Sequence, residues 1–429
     1  MAVPPLTRRL LELIDASPTP FHATAEVARR LEAAGFQRLR EEDAWSLQPG
    51  GKHYLTRNGS TLVAFEVGQE PPGRAGFRIV GAHTDSPNLR LKPHPELSKE
   101  GYRQLAVEPY GGVLLATWLD RDLSLAGRVF VQDRPEPLLL RVPRPVCRIP
   151  NVAIHLNREV NDKGLVVNPQ QHLPPLVGLE PAQADPEWFR AFLAAELSTD
   201  APVLAFDLML YDVQPSTVSG LEGEFVHAPR LDNLASCHAG LEALLAAQAR
   251  GPAPFTRVIA LYDHEEVGSQ SAEGAGSNAL LASMERVALA RGGSREELHR
   301  AVARSLLVSA DMAHAIHPNW SDRHEPRHAP RLNQGPVLKL NSEMRYATNA
   351  DTAARFERLA RRADVSLQRF VTRSDMRCGS TIGPISASRT GVPTVDVGNP
   401  MLSMHSIREM AGSQDQERMV RVLTELFVG

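Results

Sequence analysis

The strongest constraint in this sequence is a series of short apolar runs that alternate with helical patterns. Runs at residues 77–82, 257–262 and 305–310 have the length of buried β-strands, and helical spacing of leucines lies between them. Strands that alternate with helices pair in parallel, and helices cover both faces of such a sheet. We therefore predict an α/β fold with a mostly parallel sheet and helices on both faces.

Ionisable side chains follow these apolar runs directly. They are His83, the pair Glu265 and Glu266, Asp311 and, a short loop after a further run at 392–397, His405. In a parallel sheet the carboxyl ends of the strands share one edge, and ligands bind at that edge. We therefore expect these side chains, which are distant in sequence, to lie close together.

Their chemistry suits divalent metal ions. The candidate ligands are the imidazoles of His83 and His405 and the carboxylates of Asp232, Glu266 and Asp311. A nitrogen and oxygen set without thiolate favours zinc, cobalt or manganese in a hydrolytic role. Asp232 stands at a predicted helix start, where the helix dipole favours an anion, and we expect its two oxygens to bridge two metal ions.

Two further carboxylates are expected beside the metal ligands. Asp85 follows His83 by two residues, so an extended Thr84 would project both side chains to one side. Asp85 would then accept the other N–H of the imidazole. Glu265 and Glu266 cannot both be ligands that point the same way, so one would bind metal while its neighbour faces water as a general base.

The segment at 91–220 differs from its surroundings. It is rich in Pro and Gly and carries short strand-like runs, with one helical patch at 188–197. We predict a separate, mainly β domain at 91–220, inserted into a catalytic domain formed by 1–90 and 221–429.

Charge and cysteine content argue against several classes of protein. The net charge of −3 gives no electrostatic reason to bind nucleic acid or an anionic membrane. No apolar stretch approaches the roughly 18 residues of a membrane span. Three widely spaced cysteines and an N-terminus unlike a secretory signal predict a cytoplasmic protein without disulfides.

The motifs around these residues resemble those of the aspartyl aminopeptidases along essentially the whole chain. The matching stretches are GAHTDSP at 81–87, VEPYGG at 107–112, WLDRD at 118–122, RLDN at 230–233, DHEEVGS at 263–269, SADMAHA at 309–315, RYA at 345–347, CGSTIGP at 378–384 and MHS at 404–406. So many motifs in one order make an accidental match implausible.

The resemblance implies a binuclear zinc aminopeptidase, a hydrolase that removes N-terminal Asp or Glu from peptides by metal-activated water. Two Zn²⁺ per subunit are implied, for which Co²⁺ or Mn²⁺ can substitute. The implied ligands are His83 and Asp311 for one ion, Glu266 and His405 for the other, and Asp232 as the bridge. Glu265 would be the general base.

The resemblance also implies substrate contacts and an assembly. Lys339 would pair with the acidic side chain of the substrate, and His314 would contact the substrate. His155, in the inserted domain, would reach the active site of a neighbouring subunit. The implied assembly is a homo-oligomer, a dodecamer built from dimers through that domain. From the residues alone, a lysine such as Lys339 in an apolar strand is more often a snorkelling edge residue, His155 is more often a structural strand residue, and His314 could simply line a loop.

Two positions depart from the family pattern. Val113 stands where a third glycine is expected, and Met376-Arg377 precede Cys378 where a small residue and proline are expected. Both departures affect the shape of local loops and leave the selectivity of the pocket open.

Two other functions remain consistent with these residues. One is a two-metal aminopeptidase or carboxypeptidase of different specificity, because the same metal chemistry hydrolyses many amides. The other is an oligomeric scaffold or cargo protein, whose inserted domain would be the functional part.

Overall fold

The computed structural model describes residues 3–183 and 185–429, which form two compact units. The first unit contains the described residues up to Asp85, together with Ser216–Met404 and Glu409–Gly429. The second contains those of Ser86–Pro215 and, in addition, His405–Arg408. The sequence pattern placed the insertion at 91–220 and gave no indication that 405–408 belongs with it.

A nine-stranded mixed sheet forms the centre of the first unit. With strands numbered in chain order, its order across the sheet is β1 (Gln37–Arg38), β2 (Lys52–Arg57), β3 (Thr61–Glu66), β13 (Thr256–Tyr262), β4 (Phe77–His83), β14 (Leu306–Ala310), β18 (Thr394–Gly398), β16 (Val337–Leu340) and β17 (Gln368–Val371). The central neighbours β13, β4, β14 and β18 are parallel. Their carboxyl ends therefore share one edge of the sheet.

Nine helices of the first unit lie within the described residues. They are α1 (Pro5–Ala16), α2 (Pro20–Ala33), α3 (Pro72–Ala75), α7 (Leu231–Gln248), α8 (Ala279–Ala290), α9 (Arg295–Ala303), α10 (Ala350–Arg362), α11 (Ile382–Thr390) and α12 (Asp415–Val428). Local sequence sets several of their starts, as at α9, where Ser294 and Glu297 form a capping box.

Two separate hydrophobic cores lie on opposite faces of the large sheet, because successive strand residues point to alternate sides. Val80 and Ile259 belong to the core that contains α7 and α12 residues. Ile79 and Val258 belong to the core that contains α8 and α9 residues. The predicted mostly parallel sheet with helices on both faces is confirmed.

A small sheet completes the first unit. Its order is β11 (Thr217–Ser219), β12 (Phe225–Ala228), β20 (Glu409–Gly412), β19 (Pro400–Leu402) and β15 (Ala313–His314). His314 therefore lies at a strand end, and the interpretation of this residue as part of a loop was wrong.

The second unit is built on an antiparallel sheet. Its order is β8 (Leu138–Arg141), β7 (Leu123–Val131), β10 (Val203–Asp212), β5 (Asn88–Lys99), β6 (Tyr102–Tyr110) and β9 (Leu176–Leu179). Its helices are α4 (Val160–Lys163), α5 (Pro169–His172) and α6 (Trp188–Glu196). Phe189 and Leu193 of α6 are buried in the core of this unit.

One local prediction in this unit was wrong. The alternating run around His155 was interpreted as a strand, but Ile154–Leu156 form a 3-10 helix. The run has no buried face, since Val152, Ile154 and Leu156 are all exposed, so alternation of residue types did not reflect a strand between core and solvent.

No helix among residues 3–183 and 185–429 is both long and apolar enough to cross a membrane.

Candidate metal centre

The carboxyl ends of three neighbouring parallel strands carry the candidate ligands of the first unit. His83 is the last residue of β4, and Asp311 directly follows β14. Glu265 and Glu266 lie in a 3-10 turn, Glu265–Val267, shortly after β13. Asp232 comes from the start of α7. The fold thus gathers at one edge residues that are far apart in sequence, as the pattern of strand ends predicts.

His83 lies at the centre of this cluster. Its Nε2 is 3.4 Å from Oδ1 of Asp232 and 3.5 Å from Oδ1 of Asp311. Ligand atoms of His83, Asp232 and Glu266 all lie within 4.8 Å of one another, and so do those of His83, Glu265 and Asp311. Imidazole nitrogen and carboxylate oxygen at this spacing fit the ligand preferences of zinc, so these residues fit a divalent metal ion.

Asp85 supports this arrangement from behind. Nδ1 of His83 is 3.0 Å from the backbone oxygen of Asp85 and 3.4 Å from its Oδ1. A hydrogen on Nδ1 leaves the Nε2 lone pair directed at the acidic cluster. The Asp85 carboxylate also accepts the backbone N–H groups of Glu265 and Glu266, each at 3.1 Å. One side chain therefore orients both the histidine and the glutamate turn.

The crowding of carboxylates changes their protonation. Burial and the charges of the neighbouring aspartates, opposed by His83, together raise the pKa of Glu265 to about 8. Burial and the charge of Asp232 raise the pKa of Glu266 well above its ordinary value. The pKa of His83 is raised because its three aspartate partners outweigh burial, which lowers it. The protein thus concentrates negative charge where a cation would relieve it.

Lys339 and His314 lie on the Asp311 side of this cluster. Lys339 is buried on β16, and its Nζ donates to Oδ2 of Asp311 at 3.2 Å and to the carbonyl oxygen of Met312 at 2.8 Å. Its Nζ is 5.2 Å from the ring centroid of Tyr346. His314 packs edge-on against Phe370, with ring centroids 5.6 Å apart.

His405 and His155 belong to the second unit. Nδ1 of His405 is 3.0 Å from the carbonyl oxygen of Gly112. His155 is exposed in its 3-10 helix. The ligand role of His405 and the intersubunit role of His155 stay predictions.

Two buried residues that touch the cluster escaped the sequence analysis. Oε2 of Glu409, on β20, accepts the backbone N–H of Asp232 at 3.1 Å. The thiol of Cys237, on α7, donates to the carbonyl oxygen of His83 at 3.0 Å. No local pattern identifies either residue, because both contacts join parts of the chain more than 150 positions apart.

Asp396 is a third buried residue without an assigned role. It lies on β18 and accepts hydrogen bonds from Oγ of Ser309 at 2.5 Å, Oγ1 of Thr381 at 2.6 Å and the backbone N–H of Ala347 at 2.6 Å. It was detectable, since an aspartate within an apolar run is unusual and needs such partners.

The chain is similar in sequence to a family of known proteins. The model of the family described as aminopeptidase I zinc metalloprotease (M18) matches residues 13–427. A curated relative, the probable M18 family aminopeptidase 2 of Stutzerimonas stutzeri, is 51% identical over 429 residues, which are 98% of each chain.

Solved structures agree with that match. The structure titled as the Ape4 and Nbr1 complex has a TM-score of 0.94 at 40% identity and covers 99% of this chain and 85% of that chain. The structure titled as the S. cerevisiae mApe1 dodecamer has a TM-score of 0.85 at 31% identity and covers 99% and 96%.

Proposed function

Because the chain belongs to the aminopeptidase I zinc metalloprotease family (M18), and is thus a metallo-aminopeptidase, we propose that it removes N-terminal Asp and Glu from peptides. The observation that carries this specificity is the buried Lys339, whose ammonium lies 3.2 Å from the candidate ligand Asp311. A cation held out of water beside the metal ligands would pair strongly with a substrate carboxylate.

We propose two Zn²⁺ per subunit. His83 and Asp311 would hold one, Glu266 the other, and Asp232 would bridge them. His405 is proposed as the remaining ligand on the sequence motif alone. When bound, the ions supply Lewis acidity, which polarises the scissile carbonyl and lowers the pKa of water.

The residues of the chain perform the remaining steps. Glu265 takes a proton from water and returns it to the leaving amine, and its carboxylate lies within 4.8 Å of the ligand atoms of His83 and Asp311, where it can reach such a water. Asp85 holds His83 and the Glu265 turn in position. Lys339 selects the acidic side chain of the first residue, with His314 as a further substrate contact.

We also propose a homo-oligomer, a dodecamer built from dimers, in which the second unit forms the dimer contacts and His155 reaches a neighbouring subunit. This proposal is supported by the relative whose title names a dodecamer. A cytoplasmic location is proposed on the sequence alone.

The test is hydrolysis of a matched peptide series that differs only in the N-terminal residue: Asp, Glu, Asn, Leu or Lys. Each peptide is assayed before chelation, after chelation and after zinc or cobalt is restored. We expect chelator-sensitive cleavage of the Asp and Glu peptides. Asn is the matched control for Asp, because it has the same shape without the charge.

Two other results would contradict the proposal. Chelator-sensitive cleavage of the Leu or Lys peptides with no preference for Asp would indicate a two-metal peptidase of other specificity. No cleavage by metal-loaded protein would favour the scaffold or cargo function.

A further inference from the structure

A cavity in the first unit lies beside the Lys339 region. Its volume is about 290 Å³, and its walls include His314, Tyr346 and the departure Met376-Arg377. A second cavity of about 720 Å³ shares several wall residues with the first, among them Arg373, Met376 and Arg377. The Arg377 side chain therefore borders both spaces, at a position where the family motif lacks a cation.

Arg377 differs from the other arginines in the wall of the smaller cavity. The guanidinium of Arg373 is held by both carboxylate oxygens of Asp375, at 2.9 and 2.7 Å. Nε of Arg323 is 3.7 Å from Oδ2 of Asp322. Arg377 is exposed and forms no ion pair or hydrogen bond with the residues that the structure describes. Its charge is therefore available to a ligand.

The one carboxylate in the described wall of this cavity, Glu325, does not neutralise Arg377. Glu325 already binds Nδ1 of His328 at 2.6 Å and the backbone N–H of Arg327 at 2.9 Å. With Arg377 unpaired and this carboxylate engaged, the described wall of the cavity favours an anion.

Lys339 and Arg377 differ in how deeply they are buried. Lys339 is 2% exposed and contacts Asp311. It is therefore placed to pair with the first residue of a substrate, which is bound at the metal ligands. Tyr346, whose ring centroid is 5.2 Å from Nζ of Lys339, shares the wall of the smaller cavity with Arg377. Arg377 is exposed in that wall, whereas Lys339 is buried, contacts Asp311 and does not line the cavity. A group that reaches Arg377 belongs to a later part of the substrate.

We propose that Arg377 binds a second carboxylate of the substrate, one that lies beyond the N-terminal residue. This carboxylate is either the side chain of an acidic second residue or the C-terminal carboxylate of a dipeptide. A guanidinium can bind either one with two parallel hydrogen bonds. The inference rests on the proposed aminopeptidase activity. It makes Arg377 a determinant of specificity for doubly acidic or very short peptides.

The experiment compares kcat/KM for peptides that share an N-terminal Asp. The first pair is Asp-Asp-Ala-Ala-amide and Asp-Asn-Ala-Ala-amide, and the second is Asp-Ala with a free or an amidated C-terminus. We expect the wild-type protein to prefer the member with the extra carboxylate of at least one pair about three- to tenfold at low salt. Because Arg377 is exposed, this preference should shrink as ionic strength rises.

The variants Arg377→Met and Arg377→Lys test whether Arg377 causes the preference for the extra carboxylate. Met should bring the ratio to about one without changing the rate on the neutral member, and Lys should retain part of it. The matched control is Arg358→Met, because Arg358 is an exposed arginine on α10 that lines neither cavity. It should leave all ratios unchanged. The pair that responds identifies the side chain or the C-terminus as the source of the carboxylate.

Two outcomes would overturn the inference. One is a wild-type ratio of one for both pairs. The other is an Arg377→Met variant that loses the same factor on every peptide, since the residue would then act on the first residue or on the fold. The same second-residue pairs are also assayed behind Leu, so a failure of acidic selectivity at the first residue is distinguished from a failure at Arg377.

Discussion

Helix α7 contributes to two polar clusters of the first unit, and these clusters shift the pKa of a carboxyl group in opposite directions. Asp232, at its start, joins the acidic cluster around His83. Glu242, further along the same helix, lies among cations and imidazole. The pKa of Glu265 in the acidic cluster is raised to about 8, whereas that of Glu242 is lowered to about 2. Similar carboxyl groups in one unit thus differ widely in acidity.

The Glu242 cluster pairs its carboxylate with a cation. Arg9 binds both carboxylate oxygens, at 3.1 and 2.9 Å. Gln416 donates from Nε2 to Nδ1 of His238 at 2.8 Å, which leaves the ring hydrogen on Nε2, 3.4 Å from Oε1 of Glu242. Burial raises the pKa of Glu242, but the bonds to His238 and Arg9 outweigh it. These contacts join α1, α7 and α12 and stabilise the fold.

The acidic cluster has no such balance among its protein groups. Its carboxylates, Asp85, Asp232, Glu265, Glu266 and Asp311, are accompanied by His83 and Lys339. Within one unit, paired carboxylates therefore stabilise the fold, whereas crowded carboxylates repel one another unless a cation lies among them.

The largest effect is expected for Glu265→Gln, which separates proton transfer from metal binding within the acidic cluster. Glu265→Gln should lower kcat about 10²- to 10⁴-fold, because the amide cannot take the proton from water. Zinc content, measured by atomic emission, should stay close to that of the wild type. Glu242→Gln is the control and should keep its kcat. Loss of zinc from Glu265→Gln would make this residue a ligand instead of the base.

Lys339→Met should have the next largest effect. Removing the buried ammonium should reduce the ratio of kcat/KM for Asp over Leu substrates by about 10- to 100-fold, since a charge-assisted bond is lost. The Leu substrate is the internal control for the fold and the metal ions. An equal fall for both substrates would show that Lys339 acts through Asp311 alone.

A pair of isosteric substitutions tests the contrast between the clusters directly. In metal-free protein, Glu242→Gln should lower Tm by about one or two degrees, because it breaks a two-bond ion pair with the partly exposed Arg9, worth about 1 kcal/mol. Asp232→Asn should leave Tm unchanged or raise it, because it removes one of several like charges. Thermal unfolding in the presence of chelator measures both. A comparable fall in Tm for Asp232→Asn would show that the Asp232 carboxylate stabilises the metal-free fold as Glu242 does.

The smallest expected effect is a pH dependence. The pKa of Glu242 falls from 4.5 to about 2 on folding, so its stabilisation is fully present above pH 4.5 and is lost as pH falls toward 2. The difference in Tm between the wild type and Glu242→Gln should therefore shrink across this window. Thermal unfolding at pH 7, 5, 4 and 3 measures it, and a constant difference would contradict the assignment.

The sequence predicted the α/β class and the positions of His83, Asp311 and the glutamate pair, because strand ends are a local pattern that the sheet carries into space. It did not predict the Glu242 cluster. Arg9 and Glu242 are 233 positions apart, and neither lies in a pattern that specifies the other. Their pairing follows from how α1 packs on α7, which residue periodicity does not encode.

The Asp85 contact shows a finer limit of the same kind. Residue spacing indicated that its carboxylate would accept the imidazole N–H of His83. In the structure the backbone oxygen lies closer, at 3.0 Å against 3.4 Å for Oδ1. The carboxylate accepts the backbone N–H groups of the glutamate turn, which lies 180 residues further along the chain.

Asp396 anchors the chain on both sides of residues 375–377, of which Met376 and Arg377 line the smaller cavity beside the Lys339 region. It fastens Ser309, Ala347 and Thr381 to one buried point, so the chain on either side of residues 375–377 is anchored independently of what those residues are. A substitution at residues 375–377 therefore changes the wall of the cavity but not the contacts of Asp396. Substitutions at exposed positions such as Met376 and Arg377 can change the surface of this wall while the buried contacts of Asp396 stay in place.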